Sequence, residues 1–286
     1  MQLRLKIGYT AATRIQHTII YIFLTGASVI FLFPLFWMVS TSLKTVEEIS
    51  AYPIVWWPKK LQWVNYPSAL RLRPFDIYLK NTMIIVTLSA LGDVIACSFV
   101  AYGFARLRFP GRDALFVLLL STMMLPGIVR LIPLFVLFQR MGWIDTFLPL
   151  IVPNWFGTPF FIFLLRQYFM TIPEDLADAA RIDGASEFGI WWRIMLPLSG
   201  PVLAVILIFS FQANWNDFLG PLIYLNSTAK KTLALGLYEM RNLPYEEQNF
   251  HLMMAASTLM VLPVITIFAL FQRYFIQGVT LTGIKG

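Results

Sequence analysis

One cysteine, Cys97, and two histidines, His17 and His251, are all this chain offers in thiolate and imidazole ligands. A lone cysteine leaves no disulfide framework and no thiolate metal site. The histidines lie at opposite ends of the sequence without ligand spacing, which argues against a metal centre. Charge is scarce too: Asp, Glu, Lys and Arg make up 13% of the 286 residues. The net charge of +7 is scattered between apolar runs, and no basic, aromatic-interleaved patch forms, so nucleic acid is not expected as a partner. The pattern G-x-x-x-x-G-K-[ST] is missing, so nothing in the chain is built to cradle ATP phosphates. No nucleophile, base and orienter set is visible either, and no catalytic residue is expected.

Apolar residues are abundant instead. They form 58% of the chain, and the mean hydropathy is +0.69, too high for a water-soluble protein of this length. A hydrocarbon core about 30 Å thick is crossed by about 20 helical residues. Residues 15–43, 146–165, 194–216 and 252–272 carry no formal charge, while 81–105 and 114–139 are interrupted only by Asp93 and Arg130. Six transmembrane helices are predicted, near 17–40, 80–105, 114–133, 147–166, 198–220 and 252–272. The first is too long for the core of a signal peptide and is read as retained. The intervening 41–80 carries four prolines together with Trp56, Trp57 and Trp63, which argues against a continuous helix and suits a membrane interface. Pro126 and Pro133 flank Arg130 and predict a kinked end to the third span. Lys and Arg divide eleven to eleven between the two sides, so charge alone leaves orientation a tie. The tight cluster Arg106, Arg108 and Arg112 around Phe109-Pro110-Gly111 favours the inside for that turn, and hence for both termini.

Between the fourth and fifth spans lies a polar island, Thr171-Ile172-Pro173-Glu174-Asp175-Leu176-Ala177-Asp178-Ala179-Ala180-Arg181-Ile182-Asp183-Gly184-Ala185-Ser186. It predicts a short helix outside the membrane. Thr171 with Glu174 has capping-box spacing, Pro173 suits a first turn, and Glu174, Asp175 and Asp178 sit where the helix dipole is positive. Gly184 predicts the end. Ala179 and Ala180 leave a small-residue face suited to another protein's grip.

Taken whole, Asp178-Ala179-Ala180, then Gly184, then Ile194-x-Leu196-Pro197 resembles the EAA loop of ABC importer membrane subunits. Ala101-Tyr102-Gly103-Phe104-Ala105-Arg106, Met124-Leu125-Pro126, Leu131-Ile132-Pro133, Trp215-Asn216-Asp217-Phe218 and Gln272-Arg273-Tyr274-Phe275 follow in order. Over residues 15–286 the chain is similar to carbohydrate-importer permeases of the maltose-transporter type, in particular the smaller six-helix subunit. The resemblance implies an all-α polytopic fold in a prokaryotic cell membrane. It divides into an N-terminal tail (1–16), a membrane domain (17–275) with a cytoplasmic coupling loop (171–197), and a C-terminal tail (276–286), both tails cytoplasmic. It implies a second permease as a heterodimer partner, two ATPase subunits that carry the ATP and Mg, and an extracytoplasmic solute-binding protein; this chain would bind no cofactor itself. Glu174, Asp175, Asp178, Ala179, Ala180, Asp183, Gly184, Ile194, Leu196 and Pro197 would form the ATPase-coupling site. Asp178 departs from the family's glutamate by one methylene. Thr282, Gly283 and Lys285 would reach the ATPase dimer from an extended, glycine-rich tail.

Polar residues at membrane depth are costly and therefore informative. Asn154 with Trp155, and Gln212, Asn214, Trp215, Asn216 and Asp217, offer amides and a carboxylate beside flat rings, as a sugar path needs. Interhelical hydrogen bonding is the alternative use for the same groups. Asp93 stands alone. It either pairs with a polar neighbour or couples an ion, which would make the chain a secondary transporter working without an ATPase. The EAA spacing argues against that rival, and against an exporter.

Overall fold

The computed structural model describes the backbone of residues 2–241 and 246–283, and the side chains of residues 13–241 and 249–272. Among these residues every regular element is helical. The chain divides into two units, Met1–Leu72 with Met240–Leu259, and Arg73–Glu239 with Met260–Gly286.

The first unit opens with α1 (Gln2–Ser42), which takes in the basic tail and carries Pro34 without interruption. Its apolar surface is turned outward, with Phe23 74% and Phe31 81% exposed. The proline-rich stretch after it is not wholly irregular. A capping box between Thr45 and Glu48 starts α2 (Val46–Ile49), and α3 spans Asn65–Arg71. Lys44 is buried, its ammonium 4.2 Å above the Trp37 ring, where a cation is attracted to the π face. Asn65 Nδ2 donates to the carbonyls of Ser42 and Lys44, closing the turn after α1.

The second unit is built on α4 (Phe75–Arg106), which starts six residues before the apolar run 81–105. The predicted third span is broken. α5 (Arg112–Ser121) passes through a 3-10 turn, Thr122–Met124, to α6 (Gly127–Arg140), and the two parts meet at 98°. The bend falls at Pro126 alone: proline forces the preceding Leu125 into extended backbone (ψ 116°), whereas Pro133 sits inside α6. The fourth run forms α7 (Leu148–Ile151), a 3-10 turn Val152–Phe156, and α8 (Pro159–Thr171), with Gly157 supplying φ +92° between them. α9 (Asp175–Ile182) follows. Next come α10 (Glu187–Ile190), a π turn Trp191–Met195 and α11 (Leu196–Leu198), which meet α12 (Gly200–Trp215) at 81°. α13 (Leu219–Tyr224), α14 (Leu233–Arg241) and α15 (Glu246–Gly283) complete the order. Among the described residues, four helices are long and apolar enough to cross a membrane, or up to six if each bent pair is one span.

Two expectations fail here. Thr171 does not cap α9; it is the last residue of α8, and its hydroxyl donates to the Tyr168 carbonyl at 2.7 Å. Glu174 occupies the cap position without a side-chain cap bond, because the capping-box spacing straddles two helices separated only by Ile172, Pro173 and Glu174 itself. The backbone also stays helical through Gly283, where an extended tail was expected. Glycine costs a helix only about 1 kcal/mol, less than an apolar run gains by continuing.

α4 runs along both packed clusters of this unit. Near one end Ile85 packs with Phe138, Leu150, Tyr224 and Leu225. Near the other, Cys97, Ala101 and Tyr102 pack with residues of α8, α9, the π turn and α12. Between them, buried Asp93 accepts hydrogen bonds from Thr158 Oγ1 and Ser210 Oγ, each at 2.7 Å, tying α4 to the start of α8 and to α12. Asp93 therefore pairs with polar neighbours, as one of its two readings required.

Asp145 organises the turn after α13. It adopts φ +59°, and its carboxylate accepts the N–H groups of Asn226 and Ser227 at 2.9 Å, the Ser227 hydroxyl, and Lys230 at 3.2 Å. Hydrogen bonds from Ser227 lead the causes that hold this carboxyl well below the usual carboxylate range. A depressed value contributes stability that is complete above the unfolded value, about pH 4, and lost as pH falls through the folded one. Asp145→Ala is therefore expected to speed amide exchange at 226–230 throughout pH 5–8. Unchanged exchange there would show that the turn holds without the carboxylate.

Candidate functional site

α9 is amphipathic with a single buried anchor. Ala177 points into the cluster with Tyr102, Phe169, Trp191 and Met195, while Leu176, Asp178, Ala179 and Ile182 face outward, Ile182 at 87% exposure. Ala180 is half-buried against the same cluster, so the outward small residue of the pair is Ala179. Asp175 and Asp178 lie in the first turn, where the helix end is positive. The far end closes as a Schellman motif: Gly184 takes φ +81° and donates to the Arg181 carbonyl at 3.0 Å, and Ala185 donates to the Ala180 carbonyl at 2.9 Å. Asp183 is the last half-helical residue before that turn. Ser186 then caps α10 by accepting the Gly189 N–H at 3.2 Å.

Ion pairs fix the orientation of α9. Arg181 donates through Nη1 to Asp178 Oδ1 at 2.6 Å and through Nε to Glu187 Oε1 at 2.8 Å. The other Glu187 oxygen accepts the Tyr102 hydroxyl of α4. Hydrogen bonds to Glu187 are the largest reason that the Arg181 guanidinium is held more firmly protonated than usual. Two further arginines knit the adjoining helix ends. Arg106 donates to the carbonyls of Phe169 and Ile172 at the end of α8, and Arg166 donates to the Phe104 carbonyl at 3.3 Å. Ile194 and Leu196 pack partly buried against the cluster, and Pro197 lies exposed. Pro197 cannot donate a backbone bond, and Ser199 Oγ donates to the Met195 carbonyl at 2.7 Å.

Of the sequence-derived coupling set, all members from Glu174 to Pro197 thus gather on α9 and the segment after it. Arg181, Glu187 and Tyr102 were missed as interacting residues. Tyr102 and Glu187 are 85 positions apart, and only the three-residue offset of Asp178 and Arg181 signalled any part of the network. Lys285 lies outside the described residues, and the side chains of Thr282 and Gly283 outside the described side chains.

The candidates for a sugar path are less united. Asn154 donates to the Leu150 carbonyl at 3.0 Å, Asn214 to Ser210 at 2.8 Å and Asn216 to Gln212 at 2.9 Å, so each amide donor is spent on its own segment. Trp215 is buried, with its indole donating to the Met260 carbonyl at 3.1 Å, and Asp217 accepts the Gly220 N–H at 3.1 Å. Trp155 differs. Its ring lies directly on Gly92 of α4, where a Cβ would come within 2.6 Å of Cδ1, yet the residue stays 42% exposed. Among the described residues, no three His, Cys, Asp or Glu come together as a metal site.

A chain of helices long and apolar enough to cross a membrane, with a short, ion-paired helix between them, is the class that fold and site define. The family described as binding-protein-dependent transport system inner membrane component matches residues 94–281, and the chain belongs to it. The chain is similar to the arabinooligosaccharides transport system permease protein AraQ of Bacillus subtilis (strain 168), at 36% identity over 96% of each chain. It is also similar to the trehalose/maltose transport system permease protein MalG of Thermococcus litoralis, at 32% identity over 91% of this chain and 93% of that one. The same fold occurs in the crystal structure of a bacterial ABC transporter involved in the import of the acidic polysaccharide alginate. There the TM-score is 0.82 at 23% identity, over 92% of this chain and 97% of that one. The chain is thus a membrane transport component and not an enzyme.

Proposed function

We propose that this chain is one of two permease subunits of an ATP-driven importer that moves a carbohydrate, an oligosaccharide or sugar derivative, handed over by an extracytoplasmic solute-binding protein. The names of its relatives support a sugar cargo. The observation that carries the coupling role is α9 itself: one buried alanine and one arginine hold it in place while Leu176, Ala179 and Ile182 stand clear of the chain. ATP and Mg reside on a pair of ATPase subunits that grip this face. The two bent helix pairs count as spans, giving six within 17–275, with the coupling loop 171–197 and both termini cytoplasmic. Asn154, Trp155, Asn214, Trp215, Asn216 and Asp217 remain the substrate-path set, led by Trp155 because its ring is open. Thr282, Gly283 and Lys285 remain the C-terminal contact set for the ATPase pair.

Co-purification from the native membrane tests this reading. Ala179→Glu places a charge in the outward face without touching the buried anchor, and recovery of the ATPase subunit is expected to fall at least about tenfold. A loss of that size corresponds to about 1.4 kcal/mol, modest for an unpaired charge at an interface core. An Ala179→Glu chain that retains the ATPase as fully as the parent would remove α9 from the interface.

A further inference from the structure

We propose that Arg181, Glu187 and Tyr102 form a strut that carries the movement of α9 into α4, making them positioning residues for the transport cycle. The inference rests on the coupling-helix reading above. Between α9 and the end of α8 lie Ile172 to Glu174, with Pro173 among them, and this backbone link alone would let α9 pivot. A helix that pivots freely absorbs a pull without passing it on. The strut removes that freedom. Arg181 grips Asp178 on its own helix and Glu187 on the next, through different nitrogens of one planar guanidinium, so the two acids keep a fixed separation. Glu187 in turn accepts the Tyr102 hydroxyl, one turn before α4 ends at Arg106.

The surroundings strengthen this line. Tyr102 and Glu187 border a groove of about 370 Å³ walled by Phe99, Phe104 and Phe188; the Tyr102 end of the contact is buried, while the Glu187 side chain stays 43% exposed. α4 also carries the Asp93 node and packs into the cluster around Ile85, so a displacement entering at Tyr102 reaches a helix shared by two packed clusters. The strut also gives Asp178 a use that its short side chain allows: it meets Arg181 within the chain at 2.6 Å.

The test is hydrogen exchange by mass spectrometry on the full transporter, purified through its ATPase, comparing ADP with ATP plus vanadate. In the parent, nucleotide is expected to change exchange both in α9 (175–182) and in the last turns of α4 (99–106). Tyr102→Phe deletes one hydroxyl and should leave the α9 response intact. The α4 response should fall at least about fivefold, the lower end of ordinary coupling between sites. Arg181→Ala is expected to do the same, and Arg181→Lys, which keeps the charge, to recover part of it. Three results overturn the strut: an α4 response that survives Tyr102→Phe, an α4 silent in the parent while α9 responds, or exchange in α4 raised equally in both nucleotide states. Failure of α9 to respond in the parent would instead bring down the coupling-helix reading.

Discussion

Replacement of Asp93 by alanine is expected to lower the stability of the folded chain sharply, while Asp93→Asn retains most of it. Thr158 and Ser210 each direct a hydroxyl at one carboxylate oxygen, in a site 2% exposed. Alanine leaves both hydroxyls without their acceptor, and an unsatisfied buried polar group costs about 1–3 kcal/mol. Measured interhelical bonds in membranes are weaker, about 0.6–2 kcal/mol, because an inserted chain finds other partners. The two together still put the loss at about 2–4 kcal/mol. Asparagine keeps one carbonyl acceptor, and serine or threonine can turn its own hydroxyl to meet the amide. Thermal unfolding of the detergent-solubilised complex should rank parent, then Asn, then Ala. Equal midpoints for the Ala and Asn chains would show that Asp93 does not hold the three helices together.

Gly236→Ala is the second substitution with a large expected effect. A Cβ at this position of α14 would stand 2.3 Å from Tyr78 Cδ2 and 2.5 Å from Cε2. Tyr78 is fully buried and packs edge-on against Phe75 with ring centroids 5.8 Å apart, so the ring has no clear path of retreat. Nearby, Asn81 holds the carbonyls of Ala229 and Lys231, and Thr82 accepts the Leu233 N–H, which keeps α14 from backing away. Overpacking of this kind costs about 1–3 kcal/mol. Combining it with Tyr78→Leu should recover part of the loss, since the clash is with the ring. If Gly236→Ala unfolds at the same temperature as the parent, the ring and the helix are not in contact as described.

What the sequence made legible follows from the range over which each signal acts. Apolar runs report on the hydrocarbon they cross, and each of the six runs is helical over most of its length. The αL turn at Gly184 needs only one residue without a Cβ, and it closes α9 as expected. The start of α9 misled because Thr-x-x-Glu spacing is blind to where the preceding helix stops; Thr171 already served Tyr168. The bend in the third run was foreseen in kind, though not that Pro126 alone would make it. The Arg181 network lay beyond reach for a different reason. Its acceptor on α4 is 85 residues away, and no local pattern marks a tyrosine as the partner of a distant glutamate.

The outward face of α1 sets how the chain tolerates change. Across 15–33 none of its residues is buried. Natural variation along this helix is therefore filtered by the surroundings and hardly at all by the protein's own interior. Exchange of one apolar residue for another should drift freely where lipid is the neighbour and stall where another subunit leans in. A record of permitted substitutions along α1 would read as a contact print of whatever stands beside it.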